Sequence, residues 1–454
     1  MYLLYSLALA AAFLLGAPYW LVQMLRRSKY RAGLAERLGR VPERLLRPGG
    51  PAAVWVHAVS VGEVLATSGL VAELKTLFPG GRVVVSTTTA TGQKLAWERF
   101  GDENVFYFPL DFAFAIRPYL RALKPQLVVL AETEFWPNFL RLARQSGARV
   151  AVVNARISDR SLPGYRRWRR PLSGVLRNVD LFLAQSEEDQ RRLIAIGAAA
   201  ERVQVAGNLK FDTRAPAPSA ALDLLPAALA GAGPAQTVVC GSTVEGEEEL
   251  LLDAFKSVLA RHPQAVMVVA PRHPERFDAV AQLLAASGVA WWRRSALGSA
   301  ECIAGGVLLL DTIGELSAVY ALGSVAFVGG SLVPRGGHNI LEPAQQGCAI
   351  LVGPHTENFR DIVNIFERAG ALRVVRPDPQ ALADALLQLL GDPGARSRLG
   401  ELARKTWQAH SGTTRRTLDA LAALMDLRAR KSAAQPEPVA PKLAPQAPGS
   451  GEGR

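Results

Sequence analysis

From about residue 53 the chain alternates short β-branched runs with longer segments of helical spacing. VWVHAV, RVVVSTT, NVFYFPL, LVVLAETE, RVAVVNA, VDLFLAQS and RVQVAGNL are bounded by polar or turn-forming residues, whereas SGLVAELKTLF and SEEDQRRLIAIG place apolar residues every three or four positions. This rhythm predicts a mostly parallel sheet with helices on both faces. Residues 212–236, rich in proline and alanine, interrupt it and read as a linker. The pattern restarts with TVVCGST, AVMVVAPR, VAWWRR, VLLLDT, VAFVGGS and AILVGP. The reading is therefore α/β, with two doubly wound Rossmann-like domains at 26–215 and 235–430. In such sheets ligands bind at the carboxyl ends of the strands, and two facing domains leave a cleft there. A last helix-like run, about 395–430, closes the second domain, and residues 431–454 have too little to bury and are expected to be disordered.

The first 25 residues, MYLLYSLALAAAFLLGAPYWLVQML, carry no charged side chain, and RRSKYR follows them. A span needs roughly 20 apolar residues. Positive charge after the run and none before it predicts a single membrane anchor with the rest of the chain in the cytoplasm. The next stretch, YRAGLAERLGRVPERLL, mixes arginine and leucine at helical spacing, as a helix lying on an anionic membrane surface does.

Over the 454 residues, basic side chains outnumber acidic ones and leave a formal charge of +12, which favours anionic partners. Cys240, Cys302 and Cys348 are isolated, and the histidines lack metal-ligand spacing, so neither a disulfide framework nor a metal site is expected. GxGxxG and the Walker lysine motif are absent, which argues against a dinucleotide enzyme or a P-loop ATPase.

The candidate chemistry lies at strand ends. In HAVSVGEV, Ser60 and Glu63 stand at capping-box spacing ahead of a helix, yet Glu63 is also placed to act as a base where a strand ends. Both readings stay open, and a helix start would hold Glu63 ionised but weaken it as a base. LVVLAETEFWPN sets Glu132 and Glu134 on one face of a strand by alternation, where two carboxylates raise each other's pKa or hold a hydroxyl. Lys210 ends RVQVAGNLK, either as an exposed strand-end lysine or as a balance for negative charge. In the second half, Pro271 and Arg272 end one strand, and Ile313, Gly314 and Glu315 another. Asn339, Ile340, Leu341 and Glu342 open a helix after paired glycines, where free amides suit a phosphate and a carboxylate suits ribose hydroxyls. GSTVEGEEELLLDAF is a further, weaker phosphate candidate. YRRWRRPL interleaves Arg166 and Arg167 with aromatics. Nucleic acid is one partner for such a cluster, lipid headgroups another, and a solvated basic face a third.

These motifs, in order, carry a resemblance. HAVSVGE, ETEFWPN, NARISDRS, AQSEED, GNLKFD, GSTVEGEE, APRHPERF, DTIGEL and FVGGSLVPRGGHNILEPAQQG make the chain, from the anchor to about residue 425, similar to bacterial 3-deoxy-D-manno-octulosonic acid (Kdo) transferases. The resemblance implies a GT-B glycosyltransferase with an amino-terminal acceptor domain and a carboxyl-terminal domain for the nucleotide of CMP-Kdo. It implies the phosphorylated lipid A precursor as acceptor at the cytoplasmic face of the inner membrane, no cofactor and no nucleic acid. Carried onto this sequence, Glu63 takes the proton, Glu132 and Lys210 stabilise the transition state, and Pro271, Arg272, Ile313, Gly314, Glu315 and Asn339 through Glu342 contact CMP. Ser60, Glu134, Arg166 and Arg167 are supporting or acceptor-side candidates. Ile340 stands where many relatives have proline. The alternative is another membrane-associated GT-B transferase using a different nucleotide sugar.

Overall fold

The computed structural model describes residues 1–27, 32–46, 52–78, 81–213, 224–298 and 302–433. The chain divides into two compact units, Met1–Lys210 with Gly412–Arg454, and Phe211–Ser411.

The first unit is built on a seven-stranded parallel sheet. Its strands are β1 (Ala52–His57), β2 (Arg82–Thr87), β3 (Val105–Tyr107), β4 (Leu127–Ala131), β5 (Arg149–Ala155), β6 (Leu181–Ala184) and β7 (Val203–Val205), in the order β3-β2-β1-β4-β5-β6-β7. Each expected strand of this half is present. Their central positions are mostly apolar because helices cover both faces: Trp55, Val56, Val128 and Val129 have no exposed surface. The order reverses between β1 and β4, which pair in parallel from Val54 to His57. A reversal of this kind leaves room for a ligand beyond the strand ends.

Five helices of this unit matter below: α1 (Tyr2–Arg27), α2 (Val61–Leu77), α3 (Pro137–Gln145), α4 (Leu162–Arg167) and α5 (Arg169–Leu176). Residues Tyr2–Tyr19 of α1, with mean hydropathy 1.5, are long and apolar enough to cross a membrane. The expected surface helix over YRAGLAERLGRVPERLL is not continuous: among its described residues only Leu34–Arg37 and a single turn at Glu43–Leu45 are helical, and Glu36 is drawn into the body. Its carboxylate pairs with Arg44 at 2.8 Å and accepts the Tyr107 N–H at 2.8 Å.

The second unit repeats the architecture. Its strands are β8 (Thr237–Thr243), β9 (Val266–Pro271), β10 (Trp291–Arg293), β11 (Gly306–Leu309), β12 (Val325–Val328), β13 (Ala349–Val352) and β14 (Arg373–Val374). They lie parallel in the order β10-β11-β9-β8-β12-β13-β14. The two-residue β14 was not expected, being too short for a pattern. Helix α6 (Glu247–Arg261) follows β8, and α7 (Leu341–Gln346) lies between β12 and β13.

One boundary is corrected. The helix-like run to residue 430 is two helices, Pro393–His410 and Thr413–Ala433, broken at Ser411 and Gly412. Gly412 adopts φ +77°, a conformation glycine tolerates freely. The terminal helix then joins the first unit, where Leu418 and Leu421 enter the core beside Val64 and Leu70, and Arg416 donates to the Ala206 carbonyl at 2.8 Å. Residues 214–223 of the expected linker and 434–454 of the expected tail lie outside the described residues.

Candidate active site

Strand β1 ends at His57, and the chain turns through Ser60 into α2, whose first turn carries Glu63. Glu63 is only 8% exposed. Its Oε2 accepts the Val59 N–H at 2.8 Å and its Oε1 accepts the Ser60 hydroxyl at 2.9 Å. The reciprocal capping box is not formed, because the Ser60 side chain receives no backbone N–H. Ser60 instead serves the carboxylate. Burial pushes the Glu63 pKa up to about 7, with Glu132 and Glu134 adding to the rise, against the pull of Val59 N–H and the Ser60 hydroxyl. The expectation of a firmly ionised, weak base is thus overturned. Near neutral pH this carboxylate exchanges its proton readily.

Glu132 and Glu134 reach the same place by a different route from the one expected. β4 ends at Ala131, so strand alternation does not align them. Glu132 adopts φ +56°, an unusual conformation for a side chain with a β-carbon, and its N–H still donates to Val153 at 2.9 Å. Beyond it the segment turns tightly, with the Phe135 and Trp136 N–H groups donating to Thr133 and Glu134, before the helix at Pro137. Thr133 donates to the Arg156 carbonyl, and the Arg156 guanidinium lies 3.8 Å from the Glu132 carboxylate. Burial, then the Glu132 charge, raises the pKa of Glu134.

Lys210 is tied to this region through amide side chains to which the sequence reading gave no role. Asn154, at the end of β5 with φ +54°, accepts the Leu209 N–H through Oδ1 at 3.0 Å. Its carbonyl accepts from Gln185 at 3.0 Å, Gln185 accepts from Asn208 at 3.0 Å, and Asn208 accepts the Lys210 N–H at 3.0 Å. The signal was present in NARISDRS, AQSEED and GNLKFD. Arg166 and Arg167 are exposed on α4, while their neighbour Tyr165 packs edge-on against Phe135 at 6.3 Å and feels the Glu134 charge.

In the second unit the predicted nucleotide residues divide into exposed and buried sets. β9 ends at Pro271, and Arg272, exposed, donates its N–H to Thr243 at 2.9 Å. The Arg272 charge reaches Glu342 and His338. Burial, then Arg272 and His273, pulls His338 down to about 4, so its ring is neutral. Asn339 donates to Glu342 at 3.1 Å and accepts the Leu341 N–H at 3.1 Å, which fixes the start of α7. Ile340 and Leu341 are each 1% exposed and pack in the core, so only their backbone is available to a ligand. Ile313 is 79% exposed beside Gly314 at φ +89°, whereas Glu315 is buried. Its carboxylate is taken by Arg294 at 3.0 Å and by the Thr312 hydroxyl at 2.6 Å, so it acts as a brace.

The GSTVEGEE segment is also a brace. Glu247 is fully buried and accepts the N–H groups of Val244, Gly330, Ser331 and Leu332 at 2.7–3.0 Å, locking the β8 and β12 loops together. The turn is a weaker phosphate candidate by sequence; within it, Glu247 takes the Val244 N–H for itself. Among the described residues no group of three or more His, Cys, Asp or Glu is arranged to hold a metal ion.

Two parallel seven-stranded units of this topology define the GT-B class, and comparison with solved structures agrees. A putative UDP-N-acetylglucosamine 2-epimerase from Listeria monocytogenes matches 84% of this chain and 98% of that one, with TM-score 0.55 and 14% identity, a likeness of fold alone. Residues 32–213 match the family described as 3-Deoxy-D-manno-octulosonic-acid transferase (kdotransferase). The chain is 39% identical over 432 residues to a 3-deoxy-D-manno-octulosonic acid transferase from Bordetella pertussis, covering 92% of this chain and 98% of that protein. It is 32% identical over 404 residues to one from Haemophilus influenzae, covering 87% and 91%. The chain belongs to the 3-deoxy-D-manno-octulosonic acid transferase family and is a glycosyltransferase.

Proposed function

We propose that the protein moves Kdo from CMP-Kdo to the lipid A precursor at the cytoplasmic face of the inner membrane, with inversion at the donor carbon and Glu63 as general base. The observation that carries this reading is the Glu63 carboxylate, buried at a strand end and pushed up to about 7 beside two further glutamates. An acceptor hydroxyl is a poor nucleophile. Glu63 takes its proton as the new bond to the anomeric carbon forms, and the carbon–oxygen bond to CMP breaks with its electron pair going to the phosphate. A single displacement of this kind inverts the carbon.

The remaining candidates take complementary roles. Arg272 and the backbone around Gly314 and Asn339–Glu342 receive CMP, and Arg272 and Lys210 oppose the charge that grows on the leaving phosphate. Glu132, held in its strained turn near Arg156, stabilises the transition state, and Glu134 adds a small further rise to the Glu63 pKa, which burial sets. This chemistry needs no cofactor. The apolar α1 supplies attachment to the membrane.

Glu63→Gln tests the assignment. Glutamine retains an oxygen for the Val59 N–H but accepts no proton. With CMP-Kdo and the lipid A precursor, mass spectrometry is expected to show product formation reduced about 10²- to 10⁴-fold, while CMP still raises the unfolding temperature. Activity within tenfold of wild type would return Glu63 to a structural role. Stabilisation by UDP and not by CMP would favour a transferase for another nucleotide sugar.

A further inference from the structure

We infer that α1 lies in the plane of the membrane surface, docked lengthwise on the first unit with its leucine face toward the lipid, and does not cross the bilayer. This rests on the membrane location proposed above and changes how it is achieved. The half-buried positions of α1 include Tyr2, Tyr5, Ser6, Leu9, Ala10, Phe13 and Ala17, a stripe that recurs at intervals of three or four residues. The small side chains of Ser6, Ala10 and Ala17 in that stripe let the helix approach closely. The opposite face carries Leu3, Leu4, Leu7, Leu14 and Leu15, all 58–83% exposed.

The stripe is bonded, from its first turn onward, to the body that carries Glu63. The Tyr2 hydroxyl accepts from Asn178 at 2.9 Å and donates to the Gly174 carbonyl at 3.3 Å, while the Arg141 guanidinium lies 4.7 Å from the centre of its ring. Ser6 accepts from Asn138 at 3.0 Å, Tyr5 donates to Asp111, and Phe13 packs edge-on against Phe112 at 6.4 Å.

These contacts are incompatible with a crossing. Tyr2 and Arg27 are separated along the helix axis by about 37 Å at 1.5 Å per residue, more than the roughly 30 Å hydrocarbon core. A spanning α1 that leaves its arginine end on one side therefore puts Tyr2 on the other. Its partners Gly174 and Asn178 belong to the same folded unit as Glu63. One unit cannot stand on both sides of the bilayer.

Charge identifies the occupant of the leucine face. Gly174, which Tyr2 touches, lies on α5, and the other end of that helix begins with Arg169 and Arg170. Those two, with Arg166, Arg167 and the 65% exposed Trp168, point outward. An exposed leucine face on a helix docked to the segment that carries exposed arginines and tryptophan matches an anionic lipid surface, where apolar groups enter the acyl boundary and arginines meet headgroup phosphates.

Two measurements on the full chain test this. A short cysteine-containing extension ahead of Met1 is treated with a membrane-impermeant maleimide in intact spheroplasts, with the exposed native Cys302 as cytoplasmic reference. The extension is expected to react only after lysis, together with Cys302. Reaction in intact spheroplasts would overturn the in-plane arrangement. Separately, the purified protein is floated with phosphatidylglycerol vesicles. The combined variant Leu3→Ser, Leu4→Ser, Leu14→Ser and Leu15→Ser is expected to bind vesicles at least tenfold less, with an unchanged unfolding midpoint. Unchanged vesicle binding, or loss of a dimer in place of lipid binding, would overturn the lipid assignment. Failure of the wild type to float would reject the membrane location itself. Flotation together with outside labelling would reject only the in-plane helix.

Discussion

The strand-end glutamates of the two units are held in different ways. In the second, Glu315 faces Arg294, Glu248 faces Arg276 at 2.6 Å, and Glu247 gathers four N–H groups. In the first, Glu132 and Glu134 add their repulsion to the burial of Glu63, and the Arg156 guanidinium approaches Glu132 no closer than 3.8 Å. Carboxylates of the first kind hold loops in place. Those of the second kind store unfavourable charge, which is useful where a proton must be taken at neutral pH.

The largest effect that separates the two kinds is catalytic. Glu63→Gln is expected to remove about 10²- to 10⁴-fold of the transfer rate, whereas Glu315→Gln, measured at a temperature where the protein stays folded, leaves most of it. Stability runs the other way. Glu315→Gln takes away the carboxylate that the buried Arg294 guanidinium faces and is expected to cost about 3–5 kcal/mol in the denaturation of the second unit.

Glu63→Gln should stabilise, and only at high pH. The folded-state pKa of Glu63, about 7, lies above its ordinary value of 4.5, so the native state holds the proton longer than the unfolded chain. The stability this gives is fully present below 4.5 and is lost as pH rises toward 7. At pH 8 the substitution removes an ionised carboxylate from a buried site and is expected to gain about 1–3 kcal/mol; at pH 4 it gains almost nothing. Denaturant midpoints at the two pH values check this. A loss of stability at pH 8 would place Glu63 among the bracing carboxylates. The smallest effect is expected from Glu134→Gln. Removing one like charge lowers the Glu63 pKa by a fraction of a pH unit, because burial, the larger cause, remains. The acid limb of the rate profile should move down by that amount.

The fold was legible in the sequence wherever burial imposes a pattern. Strands covered on both faces must be mostly apolar, and runs such as LVVLA and VAFV admit little else. Strand-end positions were legible for the same reason, since polar residues that interrupt such runs stand where the sheet stops. What those residues do there was less legible. Glu63 and Ser60 have capping-box spacing, yet burial and two distant glutamates decide how the carboxylate is bonded and how it ionises. Glu315 reads as a ligand contact because sequence does not reveal that Arg294 claims it first. Asn154 went unremarked because its left-handed backbone is set by contacts far along the chain. The break at Gly412, which returns the last helix to the first unit, was hidden inside a continuous helical composition.

The central claim is that burial and the neighbouring carboxylates of the first unit keep Glu63 poised as a base near neutrality. The pH dependence of kcat/KM for Kdo transfer tests it most directly. The expected profile is level above pH 7 and falls about tenfold per pH unit below it, as Glu63 takes up its proton. A rate that stays flat between about pH 5 and pH 8 would contradict it.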